Sequence, residues 1–486
     1  MPIDPQIKVL VVEDFDVTRK MQIKALSTFG MTRVVEAADG LAAMNRLRED
    51  PEIGLVISDW NMPEKNGYEL LEWVRADETH RDLPFIMATA QAERKEAEKA
   101  ASAGASGFIT KPFTADELKA VVERVLGGAP ETAAAAPETS TGPVITQGGK
   151  VRLRVAHIQI TDHLILGILD YFIRSDRLKP KYFELETRCM SGWNPVQQSI
   201  AAGDVDVAFV LAPIAMDIFS AGAPIRLTLF AHKNGSICVK RRTSHAGEDF
   251  TEFFRNRVFY IPHVLSVHHM LSDMFFRTLG LEAGLVGDDK KDLNFEVIPP
   301  INMPVLLGEA DRAGGFMVAQ PIGRKAIADG GAELLFLSGE MWENHPCCVV
   351  VVRESVIERY GDAIHEFTEM LVQAGGFIES YPEVSARIAV DFLDPGRELG
   401  LSNAVLDDVL RETNGIRTDD LFPVIEDLDT MQRYMTEKMG VGSIIDLERF
   451  VDRRFAEAVS GAGVGTRKPS AFRSPEDIVR RLTSRK

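Results

Sequence analysis

The sequence predicts an α/β protein: a small doubly wound parallel sheet followed by a larger α/β region. Three observations predict this class. The first 126 residues alternate five short apolar runs with stretches of helical period, a pattern typical of parallel strands joined by helices. Polar side chains stand at the ends of several of these runs. After residue 150 the alternation resumes over a longer span and becomes almost wholly helical from 355 to 459.

The five predicted strands of the first region are short and rich in apolar and β-branched residues, as strands buried on both faces are. The strands are predicted at residues 7–12, 33–36, 54–58, 84–88 and 107–110. The amphipathic stretches, each predicted as a helix, cover 16–29, 39–48, 66–75, 92–103 and 114–126. Such a chain is expected to fold as a five-stranded parallel sheet with helices on both faces.

Five polar residues follow or end the predicted strands. They are Glu13 and Asp14 after the first strand, Asp59 after the third, Thr89 after the fourth and Lys111 after the fifth. The carboxyl ends of parallel strands are where such sheets gather reactive groups. Three crowded carboxylates favour a hard divalent cation such as Mg²⁺. The pattern therefore predicts Asp59 as a phosphoryl acceptor, with Lys111 and Thr89 contacting the transferred group.

Residues 1–126 resemble the receiver domain of two-component response regulators, which has a flavodoxin-like fold. The motifs that carry the resemblance are Val11-Val12-Glu13-Asp14, Asp59-Trp60-Asn61-Met62-Pro63, Gly67, Ala88-Thr89-Ala90 and Lys111-Pro112-Phe113. Glu13 stands where the family usually has a second aspartate. Phe108 stands where the aromatic switch residue of the family is often tyrosine.

The resemblance implies a set of roles and partners. Glu13, Asp14, Asp59 and the backbone carbonyl of Asn61 would hold Mg²⁺. A sensor histidine kinase or a phosphotransfer protein would phosphorylate Asp59, and Thr89 with Phe108 would form the switch. A homodimer through the receiver is a further expectation.

Composition narrows the function classes. The chain has 486 residues and a formal charge of −17, which argues against direct nucleic-acid binding because phosphate contacts need clustered Lys and Arg. The start, Met-Pro-Ile-Asp-Pro, has no signal-peptide pattern, and no apolar run is long enough to span a membrane. A cytoplasmic protein without membrane insertion is expected. The cysteines at 189, 238, 347 and 348 lack paired metal spacing and are interpreted as reduced core thiols.

Residues 127–150 are rich in Ala, Pro, Thr and Gly. This composition cannot build a core and predicts a semi-flexible linker between a domain at 1–126 and a second domain at 151–460. The last segment, 461–486, is basic and glycine-containing. It is expected to be a flexible, solvated tail with one short helix from Pro475 to Leu482.

The second domain is predicted to form two α/β lobes followed by a helical C-terminal region. The predicted strands are 152–159, 183–189, 205–211, 225–231, 236–240, 257–261, 293–298, 315–319, 333–337 and 347–352. The predicted C-terminal helices are Val356 to Tyr381, Asn403 to Thr413, Leu428 to Met439 and Asp446 to Val459.

A second resemblance covers residues 151 to 460. The segment from Trp193 to Asp206 contains Gly203-Asp-Val-Asp206, and a related pattern precedes Gln320-Pro321. Together with Asn234-Gly235-Ser236, these segments resemble the nitrate/sulfonate/bicarbonate branch of ABC-transporter substrate-binding proteins, which have the type II periplasmic-binding-protein fold. The resemblance implies two lobes that close on a small molecule.

Seven residues of the second domain are candidates for contacting that ligand: His163, Trp193, Pro213, Ser236, Ser266, His268 and Gln320. Structural roles remain open for four of these residues. Trp193 also fits a core position, His163 fits the start of a helix, and the two serines fit hydrogen bonds to the backbone at turns. A metal at His268-His269 is disfavoured because adjacent histidines diverge on a helix.

The expected function is that of a cytoplasmic response regulator with a C-terminal small-molecule sensor, a phosphoacceptor signalling protein and not an enzyme. An alternative is an enzyme similar to the thiamine-precursor or menaquinone-pathway members of the same fold, for which Cys189 and Cys238 are the candidate thiols. A third interpretation is a ligand-free protein-docking domain under receiver control.

Overall fold

The chain forms two compact units, Met1–Glu138 and Thr139–Lys486, in a computed structural model. The structure describes residues 4–14, 16–60, 62, 64–89, 99, 102–111, 113, 115–127, 145–146, 148–243, 249–286, 291–397, 399–460 and 469–484.

The N-terminal unit confirms the predicted parallel sheet. Its five strands lie in the order β2-β1-β3-β4-β5, and every neighbouring pair is parallel. Most of the predicted helix at 92–103 lies outside the described residues. The elements are β1 (Lys8–Val12), α1 (Asp16–Thr28), β2 (Val34–Ala37), α2 (Gly40–Glu49), β3 (Ile53–Asp59), α3 (Gly67–Ala76), β4 (Phe85–Thr89), β5 (Gly107–Thr110) and α4 (Ala115–Leu126).

The strands are apolar throughout because helices cover both faces of this sheet. Alternate residues of β1 enter two separate cores: Leu10 and Val12 pack in one, and Val9 and Val11 in the other. Helix α3 begins directly beyond β3 through a capping box, in which the Asn66 side chain accepts from the backbone of α3 and Glu69 reaches back to the cap. The start of α3 is therefore held next to the end of β3.

The C-terminal unit has two lobes, each built on a mixed sheet. The first sheet has five strands in the order β7-β6-β8-β17-β9, and the second has six in the order β12-β13-β11-β14-β10-β15. The elements up to the end of the second lobe are β6 (Val151–His157), a 3₁₀ turn (Thr161–His163), α5 (Leu164–Arg174), β7 (Phe183–Cys189), α6 (Trp193–Ala202), β8 (Val207–Leu211), α7 (Ala212–Ser220), β9 (Ile225–Phe230), β10 (Ser236–Arg241), α8 (Phe250–Phe254), β11 (Val258–Ile261), α9 (Val267–Thr278), β12 (Ala283–Leu285), β13 (Leu293–Val297), a 3₁₀ turn (Pro300–Asn302), α10 (Met303–Glu309), β14 (Ala313–Ala319), α11 (Ile322–Ala328) and β15 (Ala332–Leu337).

Two crossover segments connect the lobes. The first crossover, residues 231–235, leads from β9 to β10, and the second, residues 344–347, leads back to β17. They lie side by side: Lys233 pairs with Pro346, and the Asn234 N–H donates to the His345 carbonyl at 2.9 Å. The elements from the second lobe onward are α12 (Ser338–Met341), β16 (Trp342–Glu343), β17 (Cys348–Arg353), α13 (Glu354–Arg359), α14 (Gly361–Ser380), α15 (Pro382–Leu393), α16 (Asn403–Leu410), α17 (Ile425–Met439), α18 (Leu447–Phe450), α19 (Arg454–Ser460), β18 (Ala471–Phe472) and α20 (Pro475–Thr483).

Two predicted helices of the C-terminal region are each interrupted. The helix predicted from Val356 to Tyr381 is α13 and α14, separated at Tyr360. The helix predicted from Asp446 to Val459 is α18 and α19, with Val451 between them pairing with Leu227 of β9. A backbone hydrogen bond to a distant strand therefore overrides the local helical period here.

The tail differs from the solvated segment that composition suggested. Ser470 donates from its backbone and its hydroxyl to the Asp427 carboxylate, both at 2.7 Å. Phe472 stacks on Trp342 with ring centroids 4.6 Å apart, and Ile478 and Leu482 of α20 are buried. Helix α20 is basic in composition but also has an apolar face. Burial of that face explains the difference. Residues 461–468 lie outside the described residues.

Within the described part of the chain, no helix combines the length and the apolar character needed to cross a membrane.

Candidate functional site

Three carboxylates meet at the carboxyl end of the receiver sheet. Glu13 and Asp14 follow β1, and Asp59 ends β3; one oxygen from each lies within 4.8 Å of the others. Glu13 and Asp59 are 2% and 8% exposed. The structure therefore brings these three predicted residues together in one small, largely dehydrated space.

Lys111, which follows β5, is the cation at this site. Its Nζ lies 2.5 Å from Glu13 Oε2 and 2.9 Å from Asp59 Oδ1. Although burial opposes its charge, the attraction of Asp59 and Glu13 raises the pKa of Lys111 above its usual range. Burial, joined by repulsion from Asp59 and Asp14 and opposed by Lys111, raises the pKa of Glu13 to about 7. One ammonium group thus balances only part of the negative charge.

Asp59 is held by backbone that packs closely around it. The Trp60 N–H donates to Asp59 Oδ1 at 2.8 Å, and the Gly67 N–H donates to the Trp60 carbonyl at 2.9 Å. A Cβ at Gly67 would lie 1.9 Å from the Asp59 carbonyl oxygen, so no other residue fits at this position without movement. The Gly67 of the receiver motif is therefore explained by close approach of two backbones.

The remaining receiver candidates have separate outcomes. Thr89 is the last residue of β4 and is 4% exposed, and its carbonyl accepts from the Lys111 N–H at 2.7 Å. Phe108 lies in β5, half-buried against the same apolar core as Leu10. Asn61, predicted to offer its carbonyl to a metal, lies outside the described residues.

The residues present fit a hard divalent cation. Three carboxylates within 4.8 Å of one another offer only oxygen ligands, which are the ligands that Mg²⁺ prefers. Burial, with repulsion from Asp59 and Asp14, disfavours the charge on Glu13, and a bound cation would stabilise that charge.

In the C-terminal unit, the lobes contact each other directly at the cleft. Thr161, in the turn after β6, donates to the Gln320 carbonyl from its N–H at 3.0 Å and from its hydroxyl at 2.7 Å. Gln320 follows β14 of the second lobe. The structure is therefore that of a closed cleft.

His163, two residues after Thr161, packs against Trp193 beside this contact between the lobes. His163 Nδ1 lies 3.0 Å from the Ile158 nitrogen and 3.2 Å from the Ile158 carbonyl oxygen, so the backbone engages Nδ1 and leaves Nε2 for another partner. The two rings meet edge-on with centroids 5.8 Å apart. Both side chains are buried, and neither His163 Nε2 nor Trp193 Nε1 has a hydrogen-bond partner among the described residues.

The surroundings keep His163 uncharged. Burial, joined by repulsion from His157 and His232, holds its pKa well below the usual value. Its side chain caps no helix in this structure. Buried polar atoms without protein partners are costly unless a ligand or water satisfies them.

The serine and histidine candidates at the second lobe divide into two kinds. Ser236 Oγ lies 3.0 Å from His268 Nε2, and His268 Nδ1 has no partner in the described part of the chain. Ser266 instead caps α9: its hydroxyl accepts from the His269 N–H at 3.1 Å and donates to the His263 carbonyl at 2.7 Å. The structure thus favours the turn interpretation for Ser266.

The last two cleft candidates have structural contacts. Pro213 is in the first turn of α7, directly after β8, and is buried. The Gln320 amide donates to Glu412 at 3.1 Å and accepts from the Arg324 N–H at 3.1 Å. Its side chain is therefore engaged by protein groups, and its carbonyl carries the contact to Thr161.

The thiols named for the enzyme alternative are poor nucleophiles. Partial burial raises the pKa of the Cys189 thiol, and full burial raises that of Cys238 well above the usual value. Sequence reasoning overlooked a different group, Asp162, His232, Cys347 and Cys348, which is fully buried and clustered. Asp162, His232 and the Cys347-Cys348 pair are far apart in the chain, and no local motif links the three segments.

Comparison with known proteins finds a matching family for each unit. A family model described as a response regulator receiver domain matches residues 9–123, and one described as an NMT1-like family matches residues 146–391. Chemotaxis protein CheY-3 of Vibrio cholerae serotype O1 is 39% identical over 123 residues, which cover 25% of this chain and 94% of CheY-3.

Two solved structures share the fold of the C-terminal unit. The ligand-binding component of an ABC-type import system from Staphylococcus aureus, with zinc bound, has a TM-score of 0.55 and 19% identity over 64% of this chain and 99% of that chain. The periplasmic nitrate-binding protein NrtA from Synechocystis PCC 6803 has a TM-score of 0.55 and 15% identity over 71% of this chain and 100% of that chain. The chain therefore belongs to the NMT1-like family through residues 146–391 and carries a response regulator receiver domain at residues 9–123.

Proposed function

We propose that the chain is a response regulator that accepts a phosphoryl group on Asp59 and senses a small molecule in the cleft of its C-terminal unit. The observation that carries the proposal is the Asp59 carboxylate with Lys111 Nζ at 2.9 Å and two further carboxylates within 4.8 Å. Such a set suits phosphoryl transfer, which depends on positioning and on charge stabilisation.

The chemistry assigns a part to each residue. Trp60 N–H and Lys111 both engage Asp59 Oδ1, so Oδ2 is the oxygen that attacks phosphorus. The donor is a phosphohistidine of a sensor histidine kinase or a phosphotransfer protein. An O–P bond forms, the P–N bond breaks, and its electron pair returns to the imidazole of the donor.

The transferred charge is then held by the receiver. Lys111 exchanges part of its contact with Glu13 for the phosphoryl oxygens, and Thr89 hydrogen-bonds to them. Glu13, Asp14 and Asp59, with the Asn61 carbonyl, would hold Mg²⁺. When bound, the ion would neutralise the negative charge of the carboxylates and the phosphoryl group. Movement of Thr89 toward the phosphoryl group changes the face that includes Phe108, which is the proposed switch. Because the phosphodonor is made from ATP, the proposal places the chain in the cytoplasm.

Phosphorylation can be tested on the full chain with acetyl phosphate as donor. We expect a gain of one phosphoryl group by intact-mass spectrometry when Mg²⁺ is present, and none in Asp59→Asn. The matched control is Asp82→Asn, because the Asp82 side chain is 96% exposed. Labelling of Asp59→Asn equal to wild type would refute the assignment.

Ligand sensing rests on the closed cleft and on its unsatisfied donors. Trp193 Nε1–H needs an acceptor, and His163 Nε2 supplies a second unpartnered polar atom beside it, so the pair is suited to a small oxygen-containing molecule. NrtA is by its name a nitrate-binding protein, so nitrate heads the panel of probes, followed by nitrite, sulfonates, bicarbonate, and thiamine and pyrimidine precursors.

The test is thermal unfolding of the full chain with each probe, in an Asp59→Asn background that separates it from phosphorylation. A binder at about 100 times its dissociation constant stabilises the native state by about 2.7 kcal/mol. A shift that is lost in His163→Gln supports the sensor. No shift with any probe would favour the protein-docking alternative and leave the phosphorylation proposal intact.

A further inference from the structure

Four metal-ligating side chains converge in the C-terminal unit, next to His163, which follows one of them in the chain. Asp162, His232, Cys347 and Cys348 each place one ligand atom within 4.8 Å of the others. All four residues are fully buried. A carboxylate, an imidazole and two thiols are seldom buried together unless they are paired or hold a metal.

The distances are those of ligands around a common centre. Asp162 Oδ2 lies 3.1 Å from His232 Nε2 and 3.7 Å from the Sγ of both cysteines. A tetrahedral zinc with bonds of about 2.3 Å to sulfur and about 2.0 Å to oxygen and nitrogen has S···O edges of about 3.5 Å and an N···O edge of about 3.3 Å. The three edges that meet at Asp162 Oδ2 are therefore within a few tenths of an ångström of tetrahedral values, and the other ligand atoms lie within 4.8 Å of one another.

The contacts of His232 do not match a nucleophilic triad. In a Cys-His-Asp relay the carboxylate and the thiol use different ring nitrogens. Here Nε2 of His232 faces Asp162 Oδ2 and also receives the Cys348 N–H at 3.2 Å. A lone pair on Nε2 that points toward a carboxylate oxygen is repelled unless a proton or a cation lies between them.

The unpaired atoms of the cluster share one side. A Cβ at Gly235 would lie 3.1 Å from His232 Nδ1 and 3.3 Å from Asp162 Oδ1, and Gly235 has a φ of +89°. Neither atom has a hydrogen-bond partner among the described residues. A glycine at this position thus leaves room for the imidazole and the carboxylate to adopt their places.

We propose that Asp162, His232, Cys347 and Cys348 form a closed site for a thiophilic divalent cation, with zinc as its occupant. Two sulfur ligands exclude Mg²⁺ and Ca²⁺ as preferred ions, and four protein ligands define a structural site with no open position. Metal binding would displace the thiol protons of Cys347 and Cys348. A thiolate is the form that binds metal.

The site has a structural consequence for the cleft. Asp162 belongs to the turn after β6 in the first lobe, His232 to the first crossover, and the cysteines to the end of the second crossover and the start of β17. Zinc would fasten both crossovers to the first lobe, beside Thr161, whose hydrogen bonds close the cleft. Bound metal therefore favours one arrangement of the two crossovers. When the metal is absent, the thiols and the imidazole bind protons instead.

Zinc content of the full chain, produced without an affinity tag in zinc-supplemented medium, tests the proposal. We expect one zinc ion per chain by plasma mass spectrometry and a fall to background in Cys347→Ser/Cys348→Ser. The matched control is Cys189→Ser, because Cys189 is an exposed thiol outside the cluster, and it should keep the metal. Zinc that is absent from wild type, or unchanged in the double variant, would overturn the site.

A second measurement does not depend on the folding of a variant. Wild-type chain refolded with cobalt(II) in place of zinc should show the visible bands of tetrahedral cobalt and a thiolate-to-cobalt charge-transfer band. Oxygen ligands alone, such as those of the receiver, give no thiolate band. A spectrum without that band would refute sulfur ligation even if zinc is retained.

Discussion

The receiver site and the buried cluster at the crossovers solve the same problem, the burial of several charges, in different ways. The receiver gathers its groups at the ends of adjacent parallel strands: each is the last residue of β3 or β4, or lies one or two residues beyond β1 or β5. The crossover cluster takes its groups from positions 162, 232, 347 and 348, on segments that meet only when two lobes are assembled. The first arrangement follows from sheet order, whereas the second follows from the packing of distant segments.

This difference predicts where each region is sensitive. The receiver site depends on local backbone fit, so a single added carbon at the right glycine should disrupt it. The C-terminal unit depends on contacts made by late segments of the chain, so truncating side chains far from the cleft should weaken the unit.

The largest effect is expected for Gly67→Ala. Its Cβ would lie 1.9 Å from a backbone oxygen of Asp59, and overpacking against backbone costs about 3 kcal/mol or more. Urea unfolding measures this loss in the unfolding free energy of the receiver. Gly54→Ala is the control, since its Cβ meets only a methyl of Ile7 at 3.2 Å. Equal losses in both variants would break the argument that backbone fit shapes the Asp59 site.

The next effect is expected for Leu482→Ala in α20. This side chain is 7% exposed and belongs to the large apolar core, so its truncation should cost about 2 kcal/mol of the unfolding free energy of the C-terminal unit. Arg480→Ala is the control, because its side chain is 78% exposed. An unchanged transition in Leu482→Ala would restore the solvated-tail interpretation of the last segment.

A third effect concerns pH and is at most about 3 kcal/mol, because the pKa of Glu13 differs by about 2.5 units between the folded and the unfolded state. Because the folded pKa of Glu13, about 7, is above its unfolded value of 4.5, Glu13 contributes stability below about pH 4.5 that is lost as pH rises through about 7. Glu13→Gln should abolish this decline across the same window. In wild type, Mg²⁺ should stabilise the receiver more at about pH 8 than at about pH 5.

Denaturation curves at several pH values, with and without Mg²⁺, measure both the decline of stability with pH and the Mg²⁺ response. A Mg²⁺ response that is the same at both pH values would show that Glu13 is not part of the cation site.

The smallest effect is expected for Trp193→Phe. Trp193 Nε1 has no partner in the described part of the chain. Loss of this N–H should therefore change the unfolding free energy of the ligand-free chain by less than about 1 kcal/mol. The dissociation constant of the strongest probe should rise about fivefold, the equivalent of about 1 kcal/mol. Calorimetric titration measures the affinity, and Trp342→Phe, a buried indole stacked on Phe472, is the control. Equal affinity losses in the two variants would place the ligand elsewhere.

Much of the receiver could be predicted because its information is local. Strand ends, spacing and the glycine after β3 are visible in the sequence, and parallel sheet order then brings Asp59, Glu13 and Lys111 together. In the C-terminal unit the strands and lobes could be predicted as well. Ser266 could not be assigned, because a serine before a helix fits a ligand contact and a cap equally until its partner atoms are known.

The sequence by itself determined the α/β class, the receiver motifs and the two-lobed domain, because periodicity and turn residues act over short distances. Only the tertiary structure decided that α20 packs on the core, that Thr161 bonds to Gln320 between the lobes, and that Cys347 and Cys348 face Asp162 and His232. The physical reason is that these contacts join segments separated by 70 or more residues. Burial and hydrogen bonding between such segments depend on how the lobes and crossovers pack, which no local pattern records.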